Sequence, residues 1–483
     1  MRAADRRRFR SACALVAGLC AASGGAAQRP NVDLRTAVIP PSLVVAYPGR
    51  GSLEDWPKYC ANLAMTGVAQ GERLISPASM GTMAAAWTDT LPGAIASSPI
   101  VAGRRVYVGD WSGTEWVLDA ETGAVLATAD LGRTAAPKCS PPELGITSAP
   151  HVTGGVVYVA GGDDAFYALD AATLAVRWKT RLGDNSPQGG YYGWCSPAVL
   201  AGTVYQGVSS NCDNPFVPGR VDALDAATGT LTATVDLSQN PVDRSHYGSG
   251  VWSSPAIDAA AGNLFVTTAS ATHYDDGYAY SILRLSLGTL AVEDFWKIPP
   301  EDFALALDAD WGSSPTLFAD ASGRALVGAG QKNGYYYAFR RDDLSGGPVW
   351  KTLIAVGGEC PQCGHGTIST AAFDGRRLYV GAGVPPDFSA HGTVYALDPA
   401  TGAILWRYAA AGPVLAPISY ANGVVFAAGG KSCIALDAAT GELLWKADAS
   451  SDLYGGVAIS RGRIYFGDVA GNLYAFAVPS PLQ

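Results

Sequence analysis

Short apolar runs separated by turn residues recur from about residue 85 to the C-terminus, and they recur in groups. The first run opens at or near a proline in six of the groups, at Ser98-Pro99, Ala149-Pro150, Ser196-Pro197, Ser254-Pro255, Ser314-Pro315 and Ala416-Pro417, while the sixth and eighth groups have Ser369-Thr370-Ala371 and Gly455-Gly456-Val457 instead. A second apolar run follows, such as Val106-Tyr107-Val108 or Leu378-Tyr379-Val380. The third is the most regular: EWVLDAETG (115–123), FYALDAATL (166–174), VDALDAATG (221–229), SILRLSLGT (281–289), YYYAFRRDD (335–343), TVYALDPATG (393–402), SCIALDAATG (432–441) and NLYAFAVP (472–479). A fourth run often carries tryptophan, at Trp178, Trp350, Trp406 and Trp445. Short β-propensity runs in groups of roughly 40–60 residues, repeated over the whole chain, predict an all-β fold, a β-propeller with one four-stranded antiparallel blade per group and eight blades in all.

The motif details fit that prediction. Proline at the first residue of a strand needs no ladder donor. In Asp-x-x-Thr-Gly the Asp side chain can accept local backbone N–H groups and the Gly supplies a positive φ, which predicts a turn into the outer strand, where the Trp can pack between blades. The eighth group stops after its third run, whereas Ala86-Trp87-Thr88 reads like Arg177-Trp178-Lys179. The segment near 85–90 is therefore expected to complete the last blade and close the ring, leaving no open sheet edge. Residues 85–480 form one propeller domain on this reading. Residues 28–84 have no repeat partner and are expected to cap a face or rim. Long irregular stretches at 181–195, 208–219, 269–280 and 299–311 cluster in blades two to five and are the expected carriers of function.

The N-terminus reads as an export signal over residues 1–27: the basic MRAADRRRFR, the apolar SACALVAGLCAA and a small-residue site before Gln28. The apolar run is too short to span a bilayer. A periplasmic or secreted location is expected. Residues 1–27 carry five Arg and one Asp, so without them the net charge moves from −9 to −13, which argues against nucleic acid and anionic membrane surfaces as partners. Seven cysteines follow the signal, Cys60, Cys139, Cys195, Cys212, Cys360, Cys363 and Cys433. In an oxidising compartment some pair and at least one is left over, with Cys360–Cys363 as the expected local disulfide.

The Ala-Leu-Asp-x-x-Thr-Gly-x-x-x-Trp repeat resembles that of pyrroloquinoline quinone (PQQ) dependent dehydrogenases and their non-enzymatic propeller relatives. Trp56-Pro57, Gly250-Val251-Trp252-Ser253-Ser254-Pro255, Asp310-Trp311-Gly312-Ser313-Ser314-Pro315 and Lys332-Asn333-Gly334-Tyr335-Tyr336-Tyr337 resemble the polyvinyl-alcohol dehydrogenase-like branch. The resemblance implies cofactor contacts from Trp252, as the plane on which the quinone stacks, from Lys332 and Asn333 at its oxygens, and from Ser210. It implies Asp308 as the catalytic base, with Asp310 as a further catalytic carboxylate that also ligates a Ca²⁺ together with Asp213 and Asn214. Ser270 stands where the family carries an asparagine ligand, no adjacent Cys-Cys pair caps the quinone, and there is no C-x-x-C-H for haem c; Gly364 separates Cys363 from His365. The implied activity is a PQQ- and Ca²⁺-dependent dehydrogenation of small primary or secondary alcohols or of a polymeric alcohol, with electrons passing to a separate cytochrome. The alternatives are a non-catalytic scaffold for protein assembly and a polymer- or glycan-binding ring using Tyr191, Tyr192, Tyr247 and Tyr274.

Overall fold

The computed structural model of the chain describes residues 52–135, 138–239, 244–303, 308 and 310–479. The expected export signal, 1–27, and positions 28–51 of the expected cap lie outside the described residues. The described chain forms eight four-stranded antiparallel sheets, seven of them laid down in sequence order from the inside outwards. Blade one, Ile100–Ala102, Arg105–Gly109, Thr114–Asp119 and Val125–Asp130, is typical. The inner three strands are buried, while the outer one alternates half-buried and exposed positions. Blade three has a further short strand, Tyr191–Tyr192, paired with the end of Thr203–Ser210. The ring closes as the sequence predicts: Ala84–Thr90 pairs antiparallel with Asn472–Ala477, with Trp87 opposite Ala475, and becomes the outer strand of blade eight.

The repeated motif is the joint between blades. Asp119, Asp170, Asp225, Asp398 and Asp437 each accept backbone N–H groups two and three residues ahead. Four outer-strand indoles reach the turn of the next blade, with Nε1 of Trp87, Trp178, Trp350 and Trp406 donating to the carbonyls of Ala120, Ala226, Pro399 and Ala438 at 3.0–3.2 Å. The indole lies against the glycine that ends the turn. A Cβ on Gly229 or Gly402 would stand 2.4 Å from the ring of Trp178 or Trp350, so only glycine fits there. Three of these carbonyls also accept a tyrosine hydroxyl, from Tyr465, Tyr158 and Tyr379.

Serine beside the inner-strand proline has a role of its own. Backbone N–H groups of Ala149, Ser196, Ser254 and Ser314 donate to the hydroxyls of Ser196, Ser254, Ser314 and Thr370, one blade ahead each time, and Gly456 donates to Ser98 across the ring closure. This belt of hydroxyls ties five of the eight blade junctions.

Inner strands have an unpaired edge facing the axis, and residues 54–69 cover it. Trp56 exchanges hydrogen bonds with Val101. The N–H groups of Val152, Ile257, Leu317, Phe373 and Tyr420 donate to the carbonyls of Pro57, Leu63, Ala64, Thr66 and Gly67, and Ser460 Oγ donates to Glu54 O. The segment thus straps the inner strands of seven blades and satisfies donors that would otherwise be buried without partners. Its Lys58 is buried at the centre, with Nζ bonded to the carbonyls of Tyr59 and Asn62.

Candidate functional site

Above the strap lies an axial cavity of about 880 Å³ whose wall takes residues from all eight blades, with Tyr59 of the strap among them. Its size suits a small organic molecule. The belt residues Ser98, Ser196, Ser254 and Ser314 line it, as do Trp111, Trp194 and Trp252. The indole of Trp252 rests on Gly312 of the next blade, where a Cβ would come within 2.5 Å of the ring.

The sequence-predicted Ser210, Asp213, Trp252, Asp308, Asp310 and Lys332 all reach this cavity. Lys332 Nζ donates to Asp308 Oδ2 at 2.7 Å and to Asp310 Oδ2 at 3.2 Å, and lies 5.7 Å from the centre of the Trp252 ring. Ser270 sits among the three carboxylates. Its N–H donates to Asp310 Oδ1, and its hydroxyl lies 2.8 Å from Asp213 Oδ2 and 3.5 Å from Asp308 Oδ1. Ser210 Oγ donates to the other oxygen of Asp213. The long loops of blades three and four, and the segment leading into blade five, therefore converge on one point.

Three carboxylates face one ammonium, and the imbalance shows in their proton affinities. Burial, and then the neighbouring Asp310, raise Asp213 to about 7 against the pull of its serine hydrogen bonds. Burial and Asp310 likewise raise Asp308 to about 6, opposed by Lys332. Burial alone would lower the Lys332 ammonium, but Asp310 and Asp308 outweigh it and hold the group above its ordinary range. The cluster is short of positive charge and offers hard oxygen donors, which fits a Ca²⁺-like cation. Orphaned polar groups point the same way for an organic ligand. Trp252 Nε1, Ser209 Oγ and both amide atoms of Asn211 are buried on the cavity wall with no hydrogen-bond partner among the described residues. A planar polar cofactor resting on Trp252 would answer them.

Two expected contacts fall off the wall. Asn333 is buried behind Lys332: its Nδ2 donates to Tyr337 Oη at 2.8 Å and its Oδ1 accepts the Tyr335 N–H, so the side chain is consumed in holding the hairpin. Asn214 is exposed beyond the turn at Asp213 and does not line the cavity. Asn211, three residues earlier, occupies the wall instead. Its signal in the sequence was only the polar run Ser-Ser-Asn-Cys-Asp-Asn directly after a strand. The tyrosines considered as stacking platforms do not line the cavity either, and Tyr192 and Tyr247 are buried. Cys360–Cys363 forms the expected disulfide, and a second joins Cys139 to Cys212, 73 residues apart; members of both lie on the cavity wall. Cys60, Cys195 and Cys433 are buried thiols. Among the described residues no helix is long and apolar enough to cross a membrane.

Known proteins share this architecture. The chain is 26% identical over 367 residues to a polyvinylalcohol dehydrogenase of Pseudomonas sp, a match covering 67% of this chain and 54% of that protein, so the chain spans about half the length of the curated relative. In three dimensions it resembles a quinohemoprotein alcohol dehydrogenase, ADHIIG, from Pseudomonas putida HK5, with a TM-score of 0.72 and 16% identity over 89% of this chain and 81% of the other. It also resembles BamB from Moraxella catarrhalis, with a TM-score of 0.54 and 13% identity over 82% of this chain and 97% of the other. A PQQ-repeat family model, PQQ_2, described as outer membrane protein assembly factor BamB, matches residues 78–275 and 333–479. With most of the chain matched and eight four-stranded blades formed, the protein belongs to this family of PQQ-type propellers.

Proposed function

We propose that the protein is an exported PQQ- and Ca²⁺-dependent alcohol dehydrogenase acting on primary or secondary alcohols, free or along a polymer, with a separate cytochrome as electron acceptor. One observation carries the reading: Trp252, Lys332 and the carboxylates Asp213, Asp308 and Asp310 share the wall of a single axial cavity. When bound, PQQ supplies a two-electron acceptor and the cation a Lewis acid beside it. Trp252 presents an apolar plane for the ring system. Asp213 and Asp310, with the Asn211 amide, are the donors for the cation. Asp308 is the base. It is the more exposed member of the Lys332-bound pair, 37% against 8% for Asp310, so a substrate hydroxyl can approach it. Its pKa of about 6 leaves it ionised at neutral pH yet basic enough to take a proton. Lys332 holds that carboxylate in place and offers positive charge where negative charge develops on an acceptor.

A second reading, a non-catalytic assembly scaffold, is favoured by the family's description and by Ser270 at the position of an amide ligand. Incubation of the purified chain with PQQ and Ca²⁺, followed by desalting, separates the two. The enzyme reading expects retained quinone absorbance and alcohol-dependent reduction of an artificial dye. Loss of the quinone on desalting together with no dye reduction leaves the scaffold.

A further inference from the structure

We infer that His246, His273 and Asp276 form a binding site for a divalent transition-metal ion of the zinc class, outside the axial cavity, which fastens the blade-four loop that carries Ser270. The three groups can offer ligand atoms that all lie within 4.8 Å of one another. His246 Nδ1 is 2.6 Å from Asp276 Oδ1 and His273 Nδ1 is 3.2 Å from Asp276 Oδ2, and the two imidazole centres are 5.0 Å apart. The chain has five histidines, and two of them meet on one carboxylate from separate segments. His246 ends the short turn Arg244–His246 between blades three and four. His273 and Asp276 belong to the loop between Asn263–Thr267 and Ser281–Ser286.

The backbone brings these segments together before any metal is considered. Ser249 N–H donates to Ser270 O, and both the N–H and the hydroxyl of Thr272 donate to Tyr247 O, each at 2.9 Å. Asp276 is further fixed by the His273 N–H at 2.8 Å. The nearby cation Lys297 is committed to the carbonyls of Tyr274 and Gly277. Two imidazole nitrogens and one carboxylate oxygen make a borderline donor set that suits Zn²⁺, Co²⁺ or Ni²⁺, whereas Ca²⁺ prefers oxygen alone. Both histidine side chains are about half exposed, 45% and 58%, so water has room to complete a tetrahedral shell, while Asp276 at 7% anchors it from below. Neither histidine lines the axial cavity. A metal here joins residues 246 and 276 across the loop whose Ser270 donates to Asp310 and Asp213.

The test is titration of the chelator-stripped full chain with Zn²⁺ alone, by calorimetry, alongside His246→Ala and His273→Ala. The expected result is one saturable equivalent in the parent and affinity lowered more than about tenfold in each variant, since even outer-sphere partners of metal ligands are worth that much. Zn²⁺ should raise the melting temperature of the parent and leave that of the variants unmoved. A parent with no saturable Zn²⁺ binding, or a variant that binds as tightly as the parent, overturns the proposal.

Discussion

Blade seven passes from Val424–Gly429 to Ser432–Asp437 through the two residues Gly430 and Lys431, whereas at the same place in its repeat blade four inserts residues 268–280. In blade three that position holds residues 211–219, with Asn211, Cys212 and Asp213. The blades are otherwise interchangeable: similar inner strands, similar pairing, and in blades one, two, three, six and seven the same Asp-anchored turn. Regular connections build a ring that resists deformation. Irregular ones, as in blades three and four, deliver side chains to its axis. Rigid support on one side and freedom to place groups on the other is what a site needs from its scaffold.

Substitutions that sharpen this contrast differ widely in expected size. Asp308→Asn keeps an acceptor for Lys332 but removes the proposed base, so alcohol-dependent dye reduction should fall by about 10²–10⁴-fold with quinone retention unchanged; activity near that of the parent excludes Asp308. Lys332→Ala leaves Asp310 buried without its counter-charge and should cost about 3 kcal/mol in chemical denaturation. Lys431→Ala, in the equivalent turn of blade seven, should leave the midpoint where it was. The third measurement is the pH dependence of stability. In the folded state Asp213 and Asp308 hold protons up to about 7 and about 6. An unfolded chain releases them near about pH 4. The folded protein therefore binds more protons across this window, so stability declines as pH rises from about 4 to about 7 and then levels off. Asp213→Asn should flatten that decline, and an unchanged slope would show that Asp213 does not carry it. The smallest effect is at one of the repeated joints between blades. Trp406→Phe removes the donor to Ala438 O and should cost about 1 kcal/mol, with no effect on cofactor retention.

Most of the ring was legible in the chain because its joints are made by side chains. Trp178 and Gly229, or Trp406 and Gly441, recur because each indole must meet a glycine of the next blade. The closing strand was legible for the same reason, since Trp87 repeats the pattern of Trp178. The strap was not, for its bonds to the inner strands are almost all backbone to backbone and place little demand on residue type. Nor was the Cys139–Cys212 pair, because loop proximity across 73 residues leaves no local mark. Asp213, Asp308, Asp310, Lys332 and Trp252 were accessible through family resemblance, and the structure brings them to one wall. Asn333 and Asn214 went astray because each is adjacent to a wall residue, and a tight turn sends neighbouring side chains in different directions. Asn211 is marked only by its amide, buried with no hydrogen-bond partner among the described residues.

The strap also governs traffic. With residues 54–69 laid across seven inner strands and Tyr59 forming part of the floor, the axial hollow is a cup rather than a tunnel. A long chain cannot be reeled through it from one face to the other. Any polymeric guest must dip a terminus or a bent stretch into the open side and withdraw by the same route, so each visit favours a separate encounter over continuous travel along the strand.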